Sequence, residues 1–270
     1  MVVERGGIAA IAYSSTISDC VNYANISAVS SGDFSAGCYA GGIVGLLDGD
    51  NTLANLRNYG NITSGISAGG IAGHAYGKTT MTSLVNYAKV SGDLVAGGLI
   101  GSTVIGESNM YDSVNLGNVC TTVSQWAGYE TYTGGLVGGA AYGETSIYFE
   151  HCVNLANVSG IDYAGGLCGY IDYSEFNACV SFGDVSGNVA AGILAYAPDE
   201  SNVYGGSIVG GLIQGVELSG GFLGEACNSM VYECVWYVDS YENWCGRIIG
   251  GGTNCDEFDN NIYVEGVDES

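Results

Sequence analysis

The sequence repeats two short phrases in a fixed order, and this periodicity restricts the fold more than any other feature. In the glycine phrase, for example GGIVG or GGLIG, two glycines precede an aliphatic pair, and alanine replaces the first of them in the last copy. The second of these glycines occurs at Gly7, Gly42, Gly70, Gly98, Gly135, Gly166 and Gly192. The asparagine phrase, VNYANIS in its first copy, centres on Asn22, Asn58, Asn86, Asn115, Asn154 and then Ser181. The two phrases advance together by about 28 residues, so each pair marks one structural repeat.

The composition indicates what each repeat is made of. Among 270 residues there are 46 glycines and one proline, and 47% of the chain is hydrophobic while 12% is charged. Valine, isoleucine and tyrosine between glycines favour short strands joined by tight turns. A repeat of this length without helical periodicity predicts an all-β fold, a parallel β-helix (β-solenoid) with coils of about 28 residues.

The repeat pattern within the chain also predicts which side chains face inward. The position directly after the second glycine is occupied by isoleucine or leucine in every copy, so these side chains should stack in the core: Ile8, Ile43, Ile71, Leu99, Leu136, Leu167 and Ile193. The same holds for Ile26, Ile62, Val90, Val119, Val158 and Val185 of the asparagine phrase, whereas the residue before each of these should face water. Where the period lengthens we expect loops bulging from one corner, at 28–38, 104–111 and 121–133.

Two features of the asparagine phrase have more than one interpretation. The recurring asparagine could form an amide ladder between coils or cap a turn within its own coil. Periodicity does not fix which way the following aromatic stripe faces (Tyr23, Tyr59, Tyr87), and we favour a core stripe over an exposed platform.

The phrases weaken towards the C-terminus, which suggests two regions. Residues 1–225 are predicted to form the solenoid repeats, and residues 226–270, rich in cysteine and tryptophan, to form a capping region. Because the chain begins almost directly on a glycine phrase, we expect a monomeric module within a longer chain.

The excess of acidic over basic residues restricts the classes of molecule that the protein can bind. With 28 acidic and five basic residues the formal net charge is −23, which repels nucleic acids and anionic membranes. Proteins with cationic surfaces and neutral glycans are still possible partners. The sequence contains no apolar run long enough to insert in a membrane and no signal peptide.

The units GGIVG, GGLIG, GGLVG and GGLCG resemble the GLUG motif, and HCVNLANVSG (151–160) is similar to the segment that alternates with it in that family. The resemblance covers about residues 5–225. It implies a right-handed parallel β-helix in a large secreted or surface-anchored bacterial protein, such as an adhesin or the non-catalytic part of an immunoglobulin A protease. It therefore implies an extracellular location and a binding or spacer role, without enzymatic activity.

Residue spacing gives little support for metal or catalytic chemistry. No CxxC occurs and the two histidines are not near paired cysteines, so we predict no metal and no cofactor. Cys20, Cys152, Cys168 and Cys179 should be buried free thiols, and Cys245 with Cys255 is the favoured disulfide guess. Whether DGDN at 48–51 binds calcium stays open.

The function that these features favour is a non-catalytic binding, adhesion or presentation module that contacts a host protein, immunoglobulin included, or a glycan. The alternative is a carbohydrate-active β-helix enzyme, although its carboxylates and basic residues are scattered. An ice-binding role is weak because the threonines share no repeat position. The candidate ligand contacts are aromatics outside the repeat pattern: Trp126, Tyr129, Tyr132, Trp236, Tyr237 and Trp244.

Overall fold

The computed structural model describes residues 3–29, 37–104, 106–122, 129–140, 145–238, 245–246, 248–253, 256–257 and 261–265. Throughout these residues the regular structure is β-strand, and every strand pair is parallel. The strands form four long sheets, named A to D, and successive coils contribute one strand to each of sheets B, C and D and two strands, or one long strand, to sheet A. The chain is therefore an all-β parallel β-helix, as the repeats predict.

Sheet B contains Ala9–Tyr13, Val44–Asp48, Ala72–Tyr76, Ile100–Val104, Val137–Ala140, Cys168–Tyr170, Leu194–Ala197, Leu223–Cys227 and Ile249–Thr253. Sheet C contains Thr16–Ser18, Asn51–Ala54, Thr79–Thr82, Gly106–Tyr111, Thr145–Glu150, Glu175–Asn177, Asn202–Tyr204, Met230–Val231 and Asp256–Glu257. Sheet D contains Val21–Asn22, Arg57–Asn58, Val85–Asn86, Val114–Asn115, Val153–Asn154, Val180–Ser181, Ile208–Val209, Val235–Val238 and Ile262–Glu265.

Sheet A consists of two rows of strands that meet at Val185–Ala191. The first row is Ile26–Ala28, Ile62–Ser64, Val90–Gly92, Val119–Thr121 and Val158–Ser159. The second row is Val3–Gly6, Cys38–Gly41, Ser67–Gly69, Val95–Gly97, Tyr132–Gly134 and Tyr163–Gly165. Ile213–Gly220 and Cys245–Gly246 continue the sheet beyond the meeting point.

The strand register confirms the repeat length and tests the predicted loops. Ile62 pairs with Val90, as expected for coils of about 28 residues. The insertions at 28–38 and 121–133 both leave the helix between the two rows of sheet A, and their inner parts, 30–36 and 123–128, lie outside the described residues. The predicted loop at 104–111 is wrong, because Gly106–Tyr111 is a strand of sheet C that pairs along its whole length with Thr145–Glu150.

The inward aliphatic residues form two cores instead of one. Ile43, Ile71, Leu99, Leu136, Leu167 and Ile193 are fully buried in the main core between sheets B, C and D. Ile8, in the first described coil, is 54% exposed. The aliphatics of the asparagine phrase pack in a smaller core between the two rows of sheet A. This core has two parts, one of Ile62, Val90 and Val119 with Ala40, Ala68 and Ala96, and one of Val158 and Val185 with Ala164 and Ala190. Each buried aliphatic contributes about 1.5–3 kcal/mol to folding.

The corner where sheet C meets sheet D repeats an unusual backbone conformation. In each coil the residue directly before the inward residue of the next segment has positive φ, and in one coil Gly205 beside it has positive φ too: Asp19, Asn55, Ser83, Asp112, His151, Ala178, Gly206 and Glu233. Left-handed backbone reverses the chain sharply, and Asp and Asn tolerate it better than most residues. The turn places Leu56, Leu84, Cys152 and Cys179 in the main core.

The recurring asparagines form a ladder and close turns at the same time. Asn58 Nδ2 donates to Asn86 Oδ1 in the next coil over 2.8 Å and to the carbonyl oxygen of Gly60 over 2.8 Å. Asn58 Oδ1 accepts from Asn22 Nδ2 and from the Gly60 amide. The buried side chain thus satisfies its polar atoms, as such groups must. The two interpretations of this residue are both correct.

The glycine phrase packs directly on this ladder, which explains why the two phrases advance together. A Cβ added to Gly70 would lie 2.6 Å from Asn86 Cγ, and one added to Gly42 would lie 2.6 Å from Asn58 Cγ. No side chain fits in that gap. The second glycine of each phrase is therefore required by contact with the ladder residue of the same coil, which is asparagine as far as Gly135 and is Ser181 or Val209 for Gly166 and Gly192. None of these glycines has a positive φ, so the turn alone does not require glycine.

The described strands after residue 225 extend all four sheets. Ile249–Thr253 pairs with Leu223–Cys227, and Ile262–Glu265 pairs with Val235–Val238. The segment 226–270 therefore adds a further coil in its described parts, while its role as a cap stays a prediction. In the part of the chain that the structure describes, no helix has the length and hydrophobicity needed to cross a membrane.

Candidate binding surfaces

The residue after each ladder asparagine lies on the outer side of sheet D. Strand residues alternate between the two faces, and the asparagine already points inward, so its neighbours on both sides must face solvent. Phe182 and Tyr237 hold the same place after Ser181 and Trp236. We call these five aromatic side chains and two leucines the aromatic column: Tyr23, Tyr59, Tyr87, Leu116, Leu155, Phe182 and Tyr237. Their exposed fractions run from 39% to 76%. The expectation of a core stripe is therefore wrong.

The tyrosines of the column stack on one another along the rod. The ring centroids of Tyr23 and Tyr59 are 5.1 Å apart, and those of Tyr59 and Tyr87 are 4.5 Å apart with planes only 4° from parallel. Both faces of the Tyr59 ring are thus covered by its neighbours. A partner would meet ring edges and hydroxyl groups rather than ring faces.

A second column of apolar residues runs beside the first. The residue before each ladder position is aliphatic in every described coil except one, where it is Arg57. The aliphatic members are Val21, Val85, Val114, Val153, Val180, Ile208, Val235 and Ile262. These side chains are exposed or half-buried. The two columns together make a long solvent-facing strip, the apolar face of sheet D. Extended apolar strips of this kind mark interaction sites or aggregation liabilities.

Four tyrosines form a separate group where sheet A meets sheet B. Tyr132 stacks on Tyr163 at 5.5 Å within sheet A, and Tyr170 stacks on Tyr196 at 5.5 Å within sheet B. Contacts across the corner join the two pairs, at 5.0 Å for Tyr132 with Tyr170 and 4.9 Å for Tyr163 with Tyr196. All four rings are half-buried. We call this group the tyrosine block.

Carboxylates surround the tyrosine block. Tyr132 Oη donates to Glu130 Oε2 over 2.6 Å, and Tyr170 Oη donates to Asp172 Oδ2 over 3.2 Å. Burial, with the nearby Glu130 and Glu225 carboxylates, raises the pKa of Tyr163 to about 12. Burial also raises the pKa of Tyr132, and the Glu130 hydrogen bond raises it further. The phenols therefore stay protonated and uncharged at physiological pH.

The predicted contact residues are distributed over several places. Tyr129 is 64% exposed at the end of the insertion, and Tyr132 belongs to the tyrosine block. Tyr237 is 42% exposed in the aromatic column. Trp126 and Trp244 lie outside the described residues.

The prediction for Trp236 is wrong, because that side chain is 4% exposed and packs in the main core. CVWYV at 234–238 is a copy of CVNYA at 20–24 in which tryptophan replaces the ladder asparagine. Trp236 follows Val209 at the inward position of sheet D. Aligning this copy with the others would have identified both the buried tryptophan and the exposed Tyr237.

The remaining polar candidates have structural roles. Asn51 Nδ2 donates to the carbonyl oxygens of Asp48 and Gly49, so DGDN at 48–51 is a turn closed by its own side chain. Within the described residues, no group of three His, Cys, Asp or Glu side chains is placed to hold a metal ion. Cys152, Cys168 and Cys179 are buried free thiols as predicted, and Cys20 is half-buried. Cys255 and the side chain of Cys245 lie outside the described residues.

Comparison with solved structures shows a distant structural likeness. No protein-family model matches the chain, and no curated protein matches it significantly. A crystal structure named "putative immunoglobulin A1 protease" from Bacteroides ovatus is similar with a TM-score of 0.47 and 16% sequence identity. The match covers 85% of this chain and 66% of that chain, so this chain corresponds to less than two thirds of its neighbour.

Proposed function

We propose that this chain is a non-catalytic binding module of a larger secreted or surface-anchored bacterial protein, built from GLUG-like repeats. The GLUG resemblance of the glycine and asparagine phrases supports the family and the extracellular location. The apolar face of sheet D is the single observation that carries the binding role, since solvent-facing apolar strips of this length on soluble proteins serve interactions.

The geometry of the aromatic column favours a protein over a glycan as the partner. Sugars bind aromatic residues by packing against ring faces, but the faces of Tyr59 are covered by Tyr23 and Tyr87. Ring edges beside a row of valines offer a flat apolar strip with hydroxyl groups at its margin, which suits the mixed apolar and polar surface of a protein. Immunoglobulin is the first host protein to test, because the resemblance includes parts of immunoglobulin A proteases.

The test is a binding panel with two matched variants. The protein would be immobilised and exposed to immunoglobulin A, other host proteins and a set of neutral glycans. Tyr59→Ser/Tyr87→Ser removes two exposed tyrosines from the apolar face. Tyr13→Ser/Tyr76→Ser removes two exposed tyrosines from sheet B and serves as the control.

We expect binding to a host protein that falls at least tenfold in the sheet D variant and stays unchanged in the control. Equal losses in both variants would contradict the proposal. The same panel would be followed for cleavage of each ligand, and turnover of a glycan would favour the alternative of a carbohydrate-active enzyme.

A further inference from the structure

The tyrosine block lies in a part of the chain that carries negative charge without lysine or arginine. No lysine or arginine occurs between Lys89 and Arg247, although carboxylates are spread along the whole segment. In the coils from Tyr132 to Glu225 the negative charge is therefore not balanced by a cationic side chain of the same segment. Counterions or a partner must balance it, and an uncompensated field of one sign attracts ligands of the other sign.

The carboxylates nearest the block are arranged around its rings. Glu130 lies on the sheet A side, bonded to the Tyr132 hydroxyl, and Asp172 lies on the sheet B side, bonded to the Tyr170 hydroxyl. Glu225 follows Tyr196 in the next coil of sheet B and is exposed, as is Glu130. The block thus combines four half-exposed aromatic rings with carboxylates on more than one side.

These carboxylates retain unused capacity to accept hydrogen bonds. A carboxylate has about four lone-pair sites, and the phenol hydroxyl at Glu130 or Asp172 occupies one of them. Glu130 and Glu225 are exposed, so their remaining lone pairs are accessible to donors of a partner.

We propose that the tyrosine block and its acidic rim, Glu130, Asp172 and Glu225, bind an arginine- or lysine-rich segment of a partner protein. A guanidinium group donates to carboxylates in pairs, and its flat, weakly hydrated surface packs against the half-exposed edges of the tyrosine rings, so it matches both features of the site. An ammonium group pairs with the carboxylates but is more strongly hydrated and packs less well. The site should therefore prefer arginine to lysine.

This inference rests on the proposed role as a protein-binding module but uses a surface distinct from the apolar face of sheet D. It assigns the partner a chemical character, a basic segment. Membranes and nucleic acids do not fit, because their phosphates would be repelled by the same field.

The test measures binding of fluorescent peptides of equal length: oligoarginine, oligolysine and oligoglutamate. Glu130→Gln/Glu225→Gln removes two charges from the rim. The control, Asp19→Asn/Glu107→Gln, removes two exposed charges elsewhere and leaves the same net charge. We expect the rim variant to weaken oligoarginine binding at least tenfold more than the control. Equal weakening in the two variants would overturn the proposal, since attraction would then come from the net charge of −23 alone.

A second variant tests the rings. Tyr163→Leu is compatible with the fold, because Val189 and Leu218 occupy the same column in the following coils. We expect this variant to lose most of the preference for oligoarginine over oligolysine. Loss of neutral-glycan binding in Tyr163→Leu, with no effect of the rim charges, would also overturn the proposal in favour of a sugar site.

The two proposals can fail separately. The Tyr59→Ser/Tyr87→Ser variant should bind oligoarginine like the unmodified protein, because its substitutions lie on the other surface. If peptide binding fails while host-protein binding through sheet D persists, only the basic-segment inference is wrong. If the reverse holds, only the sheet D proposal is wrong.

Discussion

Asn86 Nδ2 donates a hydrogen bond of 2.8 Å to Asn115 Oδ1 in the next coil, and the two amides belong to one ladder through the centre of the solenoid. Each rung also closes the turn that follows it, as in the bond from Asn86 Nδ2 to the carbonyl oxygen of Ala88. The ladder therefore fixes the inward position of sheet D. By alternation it also fixes the two outward-facing columns that make up the apolar face of sheet D.

We expect Asn86→Ala to destabilise the protein by about 3 kcal/mol, because Asn58 Nδ2 and Asn115 Oδ1 each lose one of their two buried partners and the carbonyl oxygen of Ala88 loses its side-chain donor. Chemical denaturation of purified protein measures this. Asn61→Ala is the matched control: Asn61 is exposed, and its Oδ1 accepts one bond from the Lys89 amide. Its loss should be under about 1 kcal/mol. Similar effects of the two substitutions would show that the ladder is not a main source of stability.

Replacing a glycine that packs on the ladder should be as harmful as replacing an asparagine. In Gly70→Ala the new Cβ would lie 2.6 Å from Asn86 Cγ, and closer still to the carbonyl oxygen of Gly98. We expect a loss of about 3 kcal/mol or more.

Gly139→Ala is the control for this substitution, because the equivalent place in neighbouring coils holds Ser102 and Tyr170. Its Cβ would lie 3.0 Å from Tyr132 Cβ, so a small adjustment suffices. Melting temperatures of the two variants should differ by several degrees. If Gly70→Ala melts like Gly139→Ala, steric exclusion is not the reason for the repeated glycine.

The repeat period made the fold predictable, since a recurring inward aliphatic leaves few architectures open. It also identified the exposed positions of Asn61 and Lys89 correctly, because a site that accepts both amide and ammonium must face water. What periodicity could not give was the division into two cores. That division depends on sheet A folding into two rows, which is a matter of packing between coils rather than of local pattern.

The candidate site was harder to predict for a related reason. Tyr59 faces outward because the adjacent asparagine is fully satisfied inside, and hydrophobicity alone favours the opposite assignment. Tyr132 and Tyr170 belong to successive coils, and only the stacking of these coils brings the two rings together. Trp236 was predicted to be a ligand contact because the phrase around it departs from the repeat pattern. The residue occupies the ladder position of a diverged copy of the asparagine phrase, and that position is buried.

The rate at which each cysteine thiol is alkylated should depend on how deeply its side chain is buried. Burial raises the pKa of Cys168 and Cys179 well above the ordinary value, and the thiolate is the reactive form. We expect these two, with Cys152, to resist alkylation in the native protein and to react once it unfolds. Cys120 and Cys227 are half-buried and should react first. Peptide mapping after brief alkylation identifies the modified residues, and early labelling of Cys168 would contradict the packed core.

His74 should make the stability depend on pH between about 4 and 6.5. Burial lowers the pKa of His74 to about 4, while its ring stacks on Tyr39 at 4.6 Å and Nδ1 lies 2.6 Å from Ser102 Oγ. In the unfolded chain the pKa is about 6.5. Between these values the unfolded state binds the extra proton, so stability falls as the pH is lowered, by about 3 kcal/mol at most.

His74→Leu removes this titration and places at 74 the side chain that Leu46 has in the preceding coil. Carboxylates titrate in both proteins and cancel in the comparison. Unfolding free energies at pH 7 and pH 4.5 should therefore show a loss about 2 kcal/mol larger for the unmodified protein than for His74→Leu. Parallel pH curves would mean that His74 protonates in the folded state without leaving its stack on Tyr39.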